Sequence, residues 1–316
     1  MSGPEARAAS PAERNQRGDR LRRSVLFVPG GHPRRLEKAP ETGADSLVLD
    51  LEDSVAPEEK DRARQLVADT LRARALGEAE AIVRVNAPGT PHFAADLEAA
   101  VAAGADAVML PKSQRADTLA EVSARLDRLE RRLERAPDAA LRLLALVETP
   151  AGVARVAWLA DASERIDALC FGHADFAREM GLADADASAG VLLHARCAVA
   201  IAAKAAGVSP IDCVFLDVRD EQAFAADVAL GLRLGFEGKL CIHPTQVRIA
   251  NDVYTPAPER VAHAQRVVEG FERALAGGSG VFSLDGKMVD APLVAIEKRI
   301  LERARRAGVL PGGGGC

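Results

Sequence analysis

Short apolar runs recur along the chain, and most of them stop at a charged or loop-forming residue. In order, the runs read SVLFVPGG, SLVLDLED, AIVRVN, AVMLPK, LLALVET, DALCFGHAD, CVFLD and KLCIHP. Most are continuously apolar instead of alternating, which is typical of parallel strands that are buried on both faces. Stretches long enough for helical crossover connections separate most of them. Eight such runs predict an α/β protein, a (β/α)8 TIM barrel.

The eight predicted strands comprise residues 24–28, 46–51, 81–85, 107–110, 141–147, 168–171, 213–216 and 239–242. About seventy residues follow the last of them, more than the one closing helix of a minimal barrel requires. In this segment we predict helices over residues 257–276 and 292–306, with a hairpin between them at the Asp-Gly pair of VFSLDGKMV. The extension either covers its own barrel or packs on a neighbouring subunit. The predicted organisation is a disordered N-terminal extension (1–21), the barrel (22–254), a C-terminal helical extension (255–310) and a flexible tail (311–316).

Composition narrows the class of protein. The net charge is -5 and aromatic residues make up 3%, so the chain lacks the basic patch and stacking residues of typical nucleic-acid binders. No segment has the roughly twenty consecutive apolar residues that span a bilayer. The first twenty residues have no apolar secretion core, and the five cysteines lie far apart without a CxxC pair. We expect a cytoplasmic protein with neither nucleic acid nor membrane as partner.

The strand ends carry the candidate chemistry, because active sites of TIM barrels lie at the carboxyl ends of the strands. The polar side chains at or just beyond these ends belong to Glu52, Arg84, Lys112, Glu148, Asp175, Asp217 and His243.

Glu148 and Asp175 follow neighbouring strands, so their carboxylates are expected to converge. Two carboxylates with room for waters and a substrate oxygen make a typical Mg2+ site. Alternatively, each acid caps a helix N-terminus, where acidic residues are favourable.

Arg84 lies between Val83 and Val85 and is expected to project into the barrel mouth, where its guanidinium suits a carboxylate. Pairing of Arg84 with Asp50 or Glu52 is compatible with that role, and Glu52 could also hydrogen-bond a metal-bound water. Lys112 offers a second cation at the next strand end.

The loop PGGHPRR places Pro29 and Gly30 just before a predicted helix. Backbone N–H groups there can hold a phosphate or carboxylate, with help from nearby arginines. These arginines are Arg22, Arg23, Arg34 and Arg35. His243 is a candidate general base, or else makes a structural hydrogen bond.

Several ordered segments together resemble one family. RRSVLFVPGGHPRRLEKAPETGADSLVLDLEDSVAPEEKDRAR, VRVNAPGT, GADAVMLPK, LVETPAGV and VFSLDGKMVD are similar to citrate lyase β-subunit-like proteins of the HpcH/HpaI aldolase and malyl-CoA lyase superfamily. The resemblance runs from about Arg22 to Arg306. It implies a barrel with a C-terminal extension, a homotrimer or hexamer, and Mg2+-dependent carbon–carbon lyase chemistry on thioesters of CoA or an acyl-carrier protein.

The resemblance also implies roles for individual residues. Glu148 and Asp175 match the metal ligands, and Arg84 matches the residue that grips the carboxylate of the α-keto acid. Asp290, in GKMVD, matches an acid that relatives insert into the adjacent subunit's site. The arginines before SVLFVPG, Arg23 among them, resemble the region that receives the phosphates of the acyl carrier.

One departure from the family pattern lies in GHAD. Many relatives have an additional acid directly before the second metal ligand, where this chain has Ala174. Metal binding by Asp175 stays the expectation, whereas the substrate of any particular relative does not transfer.

The expected function is reversible cleavage of a 3-hydroxy-3-carboxyacyl thioester, such as citramalyl-CoA, malyl-CoA or a citryl thioester, to an α-keto acid and an acyl thioester. Arg84, Glu52 and Asp290 are the expected catalytic residues. Malyl- or citramalyl-CoA thioesterase activity, malate synthase-like activity, and a non-catalytic subunit of a citrate-lyase-like complex are the alternatives.

Overall fold

The computed structural model describes residues 20–310. Residues 1–19 of the predicted disordered extension lie outside the described residues, and so does the predicted tail, 311–316. The chain divides into two units with a boundary between Asn251 and Asp252, inside a helix and close to the predicted boundary.

Eight parallel strands form the first unit and close into a barrel in chain order, with β8 pairing back to β1. The predicted (β/α)8 barrel is thereby confirmed. The strands are β1 (Ser24–Pro29), β2 (Ser46–Asp50), β3 (Glu80–Arg84), β4 (Ala107–Leu110), β5 (Arg142–Val147), β6 (Ile166–Phe171), β7 (Ser209–Asp212) and β8 (Gly238–Cys241).

Helices connect the strands, with short 3-10 turns at Ala39–Thr42, Pro57–Glu59 and Pro137–Ala139. The helices are α1 (Pro33–Lys38), α2 (Lys60–Arg72), α3 (Phe93–Ala103), α4 (Ala116–Arg132), α5 (Pro150–Ala154), α6 (Val156–Ala160), α7 (His173–Glu179), α8 (Gly190–Ala206), α9 (Glu221–Leu234) and α10 (Pro244–Tyr254).

Alternate strand residues fill the barrel interior, because successive side chains of a strand point to opposite faces. This interior cluster consists of Val25, Val48, Ile82, Ala107, Met109, Leu144, Leu146, Ala168, Cys170, Ile211 and Leu240. The same alternation points Asp50, Arg84 and Glu148 inward, since each lies two residues beyond a member of the cluster. The register of the core therefore aims these charged side chains at the barrel mouth.

The seventh strand was predicted wrongly. It spans Ser209–Asp212 rather than residues 213–216, because α8 ends at Gly207 (φ 72°) and the chain enters the sheet two residues later. Ile211 is the buried inward residue of this strand. The more apolar run CVFL lies beyond the strand, and Asp217 is carried into an exposed turn where its Oδ1 accepts the Arg219 N–H.

A buried ionic cluster fixes the outer side of β7 and β8. Asp212 accepts hydrogen bonds from Arg196 of α8 (Nε, 2.7 Å) and from Lys239 of β8 (Nζ, 3.0 Å). Asp227 of α9 pairs with both cations. All four charges are matched inside the protein, which ties two outer helices to the barrel wall.

The amino ends of the strands are closed by another ionic cluster. Arg22 is buried and donates to Glu80 (2.7 and 2.6 Å) and to Asp167 (2.6 Å). Arg23 pairs with Asp45 at 2.8 Å. Both arginines precede β1, so they lie at the end of the barrel opposite to the carboxyl ends of the strands.

The second unit contains two helices, α11 (Pro258–Ala276) and α12 (Ala291–Arg306), and a hairpin of β9 (Phe282–Leu284) and β10 (Lys287–Val289). Asp285 and Gly286 join the two strands with φ of 51° and 77°, the left-handed geometry of a type I′ turn. The predicted hairpin and both helices are thus present. Among residues 20–310, no helix is long and apolar enough to cross a membrane.

Candidate active site

A cavity of about 840 Å3 opens at the carboxyl ends of the barrel strands. Its charged lining residues include Asp50, Arg84, Glu148 and Asp175. Its apolar lining residues include Phe27 of β1, Val214 after β7 and Ile242 after β8. The mouth of the barrel therefore presents both charged and apolar side chains.

Glu148 is one of the two buried acids of this lining, with 2% of its surface exposed, the same fraction as Asp50. Burial raises the pKa of its carboxyl to about 8, and the charges of Glu52 and Asp175 add to this effect. The backbone N–H of Lys112 opposes it by donating to Oε1 at 2.7 Å. A carboxylate in such surroundings is stabilised by a bound cation.

Asp175 reaches the same cavity from the first turn of α7. Its side chain is 23% exposed and pairs with Arg178 at 2.5 Å. Within residues 20–310, no group of three or more acidic, histidine or cysteine side chains could hold a metal. Glu148 and Asp175 both line the cavity, and a pair of carboxylates is a donor set that fits a hard cation such as Mg2+, which keeps several waters or substrate oxygens as ligands.

Arg84 is held in a fixed orientation at the end of β3. Its Nε and Nη2 donate to the two oxygens of Asp50, both at 2.7 Å, and its Nη1 lies 3.1 Å from Glu52. The Phe27 ring lies under the guanidinium at 4.8 Å. Arg84 lines the cavity, as expected for a residue that binds a substrate carboxylate. It also pairs with Asp50 and Glu52, the two acids named from the sequence.

Lys112 and Glu52 stand beside Arg84. The Lys112 Nζ donates to Glu52 Oε1 at 2.7 Å, and the Lys112 backbone has φ of 51°, which is uncommon for a residue with a side chain. Burial raises the pKa of Glu52, although Arg84 and Lys112 both act to lower it. Neither Glu52 nor Lys112 belongs to the cavity lining. The Glu52 carboxylate is placed to support Arg84, and the Lys112 backbone N–H is placed to support Glu148.

Comparison with known proteins shows the family of this chain. The HpcH/HpaI aldolase/citrate lyase family model matches residues 23–244. The chain belongs to this family. Citrate lyase subunit beta of Escherichia coli (strain K12) is 39% identical over 94% of this chain and 98% of its own length. A (3S)-malyl-CoA thioesterase of Cereibacter sphaeroides (strain KD131) is 38% identical over 89% of this chain and 94% of its own.

A solved structure of a family member extends the comparison. Protein CitE from Mycobacterium tuberculosis, in complex with magnesium, acetoacetate and coenzyme A, has a TM-score of 0.71 and 33% identity. The match covers 89% of this chain and 97% of that protein.

The phosphate-binding prediction changes in one respect. Arg23 is not brought to the cavity, because it precedes β1 and pairs with Asp45 at the amino end. Arg34, Arg35 and Lys38 of α1 line the cavity instead, so this helix supplies the cations at its rim. The sequence could have distinguished the two groups of cations, because Arg23 precedes β1 whereas the cations of α1 follow it.

Pro29 lines the cavity, whereas Gly30 is not among the lining residues. The Gly30 N–H donates to the Asp50 carbonyl at 2.9 Å. A Cβ at this position would lie 2.7 Å from that carbonyl oxygen and 2.9 Å from Val67. The absence of a side chain at Gly30 thus allows the main chain after β1 to approach β2 closely before it turns into α1.

Two histidines line the cavity in different states. His243 is exposed, and its Nδ1 lies 2.9 Å from the Thr245 hydroxyl, the structural hydrogen bond considered from the sequence. His173 is buried, and burial lowers its pKa to about 4, so its ring is neutral. Ala174, the departure from the family pattern, also faces this cavity.

Asp290 belongs to the second unit and caps α12, with its Oδ1 accepting the Leu293 N–H at 3.2 Å. The apolar lining residues Phe27, Val214 and Ile242, and also Lys38, were not predicted from the sequence as site residues. Val214 and Ile242 also follow strands, but an apolar residue at a strand end carries no chemical signal. Lys38 lies one helical turn from Arg34, a spacing that places both on one face.

Proposed function

We propose that this protein is a Mg2+-dependent carbon–carbon lyase that cleaves a 3-hydroxy-3-carboxyacyl thioester of CoA to an α-keto acid and an acyl-CoA. The observation that carries the proposal is the convergence of Glu148 and Asp175 in a cavity that also presents Arg84. Family membership and the relative solved with magnesium, acetoacetate and coenzyme A support it.

In the proposed reaction, Glu148 and Asp175 hold the metal ion. Bound Mg2+ supplies Lewis-acid polarisation of substrate oxygens. Arg84 binds the substrate carboxylate through the N–H groups that Asp50 and Glu52 leave available, since a guanidinium has five donors. Asp50 prevents rotation of the guanidinium and so fixes the orientation of the carboxylate.

In cleavage the hydroxyl proton passes to solvent water, the hydroxyl-bearing carbon becomes the ketone carbon of the α-keto acid, and its bond to the α-carbon of the thioester breaks. The electron pair of that bond stays on the thioester as its enolate. We propose that Asp290 of a neighbouring subunit donates the proton that converts this enolate to the acyl thioester. In the reverse direction the same carboxylate removes that proton. This role requires an oligomer, and we propose a homotrimer or a hexamer.

The apolar lining residues favour citramalyl-CoA among the three thioesters. A citryl thioester carries an additional carboxymethyl group at its reacting carbon, and burial of a carboxylate against Phe27, Val214 and Ile242 is unfavourable. A methyl group suits the same surface. We therefore expect citramalyl-CoA, which yields pyruvate and acetyl-CoA, to be cleaved faster than citryl-CoA.

The rim of the cavity favours a phosphate-bearing acyl carrier. Arg34, Arg35 and Lys38 are suited to the phosphates of CoA, since charge-assisted hydrogen bonds to phosphate are strong. The phosphopantetheine of an acyl-carrier protein also carries phosphate for these cations to bind, but it has fewer phosphate groups than CoA.

A screen of thioesters by mass spectrometry tests the proposal. Citramalyl-, malyl- and citryl-CoA are incubated with the protein in Mg2+ and in EDTA. Metal-dependent release of an α-keto acid together with an acyl-CoA is the expected result. Absence of cleavage of every thioester in Mg2+ would contradict the lyase proposal.

A second candidate, thioester hydrolysis, is favoured by the relative named as a malyl-CoA thioesterase. Hydrolysis releases free CoA and the intact diacid, so the same screen distinguishes it from cleavage. Malate synthase-like activity also gives free CoA and a hydroxy diacid, but it starts from acetyl-CoA and a keto acid. The name of the Escherichia coli relative suggests a further alternative, a non-catalytic subunit. Such a subunit would convert none of the three CoA thioesters without partner subunits.

A further inference from the structure

The Glu148 carboxylate is confined by main-chain atoms of two other strand ends. On one side, the Lys112 backbone N–H, beyond β4, donates to Oε1 at 2.7 Å. On another side lies Gly172, the first residue after β6. A Cβ built on Gly172 would be 2.5 Å from Glu148 Cβ and 2.7 Å from Oε2, separations that a methyl group does not tolerate. The observed position of Glu148 therefore requires a glycine at residue 172.

Backbone conformation does not explain this glycine. Gly172 has φ of -99°, which residues with side chains also adopt. Its N–H donates to the Val147 carbonyl at 2.9 Å, so the main chain at this point is tied to β5. The close approach of the Glu148 side chain is what excludes a larger residue.

Lys112 contributes through its backbone conformation. Its φ of 51° is left-handed, a geometry that persists in residues with side chains where the surroundings impose it, often at functional sites. In this conformation one residue holds two acids, with its N–H on Glu148 and its ammonium on Glu52. The contact to Glu148 thus depends on the main chain at residue 112, whereas the contact to Glu52 depends on the side chain.

We infer that Gly172 and the backbone of Lys112 are positioning elements that set the orientation of the Glu148 carboxylate for the metal ion. The inference rests on the proposed function, because it takes Glu148 as a metal ligand. A ligand already held in its binding orientation loses little freedom on binding, and groups behind metal ligands typically change affinity by about 10- to 100-fold.

Isothermal titration calorimetry of the full-length protein with MgCl2 tests the inference without an activity readout. Gly172→Ala is expected to raise the dissociation constant by about 10- to 100-fold. The control is Gly280→Ala, since a Cβ at Gly280 meets no atom within 4 Å, and its affinity is expected to equal that of the wild type. Lys112→Gly keeps the N–H and adopts a positive φ freely, so it is also expected to retain the affinity.

The outcomes separate the two hypotheses. Absence of Mg2+ binding by the wild type would overturn the proposed function and this inference with it. Wild-type affinity in Gly172→Ala would overturn the inference alone, and weakened binding in Lys112→Gly would overturn the part assigned to the backbone.

A double-mutant cycle on thermal unfolding keeps the inference testable if Gly172→Ala is unstable. The alanine is expected to lower the melting temperature in the wild-type background and to lower it much less in Glu148→Gly, which lacks the obstructing side chain. Equal losses in both backgrounds would contradict a steric conflict with Glu148.

Discussion

The Arg84 guanidinium and the Asp50 carboxylate form a two-point ion pair, with Nε–Oδ1 and Nη2–Oδ2 distances that are both 2.7 Å. Both side chains are inside the barrel mouth, with 10% and 2% of their surfaces exposed. Two parallel hydrogen bonds fix the plane of the guanidinium as well as its position. The donors of Arg84 that remain available to a substrate are therefore aimed by Asp50.

Asp50→Asn tests this relationship. The amide keeps the shape, but its NH2 group donates and cannot accept, so only one of the two atoms can still pair with Arg84. Arg84 then loses its fixed orientation, and kcat/KM for thioester cleavage is expected to fall about 100-fold. Steady-state kinetics measure the effect. The control is Asp53→Asn, an exposed acid 3.7 Å from Arg84, and a comparable loss in that variant would argue against a specific role of Asp50.

Glu148→Gln removes the buried charge at the metal site. Mg2+ binding in calorimetry and metal-dependent cleavage are both expected to be lost, because an amide is a weak ligand for this cation. Glu98→Gln, at an exposed ion pair with Arg132, is the matched control and keeps both properties. Retained Mg2+ affinity in Glu148→Gln would exclude this residue as a ligand.

Arg34 and Arg35 are expected to act on substrate affinity. Their joint replacement by alanine should raise KM for a CoA thioester about tenfold, which corresponds to roughly 1.4 kcal/mol of lost phosphate binding, with little change in kcat. A pantetheine thioester without the nucleotide phosphates should respond less. Arg23→Ala, at the amino end of the barrel, is the control, and an equal rise in its KM would contradict the assignment of the rim to α1.

Asp290 has two separable properties. Asp290→Asn keeps a good helix cap for α12 but cannot transfer a proton, whereas Asp290→Ala loses both, at a cost of about 1 kcal/mol of stability. We expect both variants to lose activity and only the alanine to lower the free energy of unfolding.

Mixing of subunits tests where Asp290 acts. Inactive Glu148→Gln and Asp290→Asn proteins, unfolded and refolded together, are expected to regain part of the activity if each site takes Asp290 from a neighbour. Absence of any recovery in verified mixed oligomers would place Asp290 outside the neighbouring site.

The buried cluster of Asp212, Arg196 and Lys239 predicts a loss of stability in acid. Burial alone would raise the pKa of Asp212, but the two cations lower it below its usual value. A lowered pKa in the folded state means that the carboxylate stabilises the protein above its unfolded pKa of about 3.9, and that this contribution is lost as the pH falls through the folded pKa.

Asp212→Asn is expected to reduce the free energy of unfolding at pH 7 by about 3–5 kcal/mol, because it leaves buried cations uncompensated. The difference from the wild type should shrink as the pH falls below about 4. Urea unfolding across this pH range measures it, with exposed Asp138→Asn as control. A difference that does not depend on pH would show that the Asp212 charge is not its source.

The sequence by itself determined the barrel and most of its strands, because parallel strands buried on both faces require locally continuous apolar runs. It also determined that Glu148, Arg84 and Asp175 follow strand ends, and that an Asp-Gly hairpin precedes α12. Those inferences depend on neighbours along the chain, which the sequence displays directly.

Only the tertiary structure decided the contacts between strands. Ser209–Asp212 forms β7 although the following CVFL is more apolar, since pairing with β6 and β8 and the end of α8 select the segment. Arg84 binds Asp50 because β2 and β3 align these residues. Gly172 accommodates Glu148 only because β5 and β6 are neighbours. Such relations join residues far apart in sequence and arise from barrel closure and register, so a single chain read in order does not reveal them.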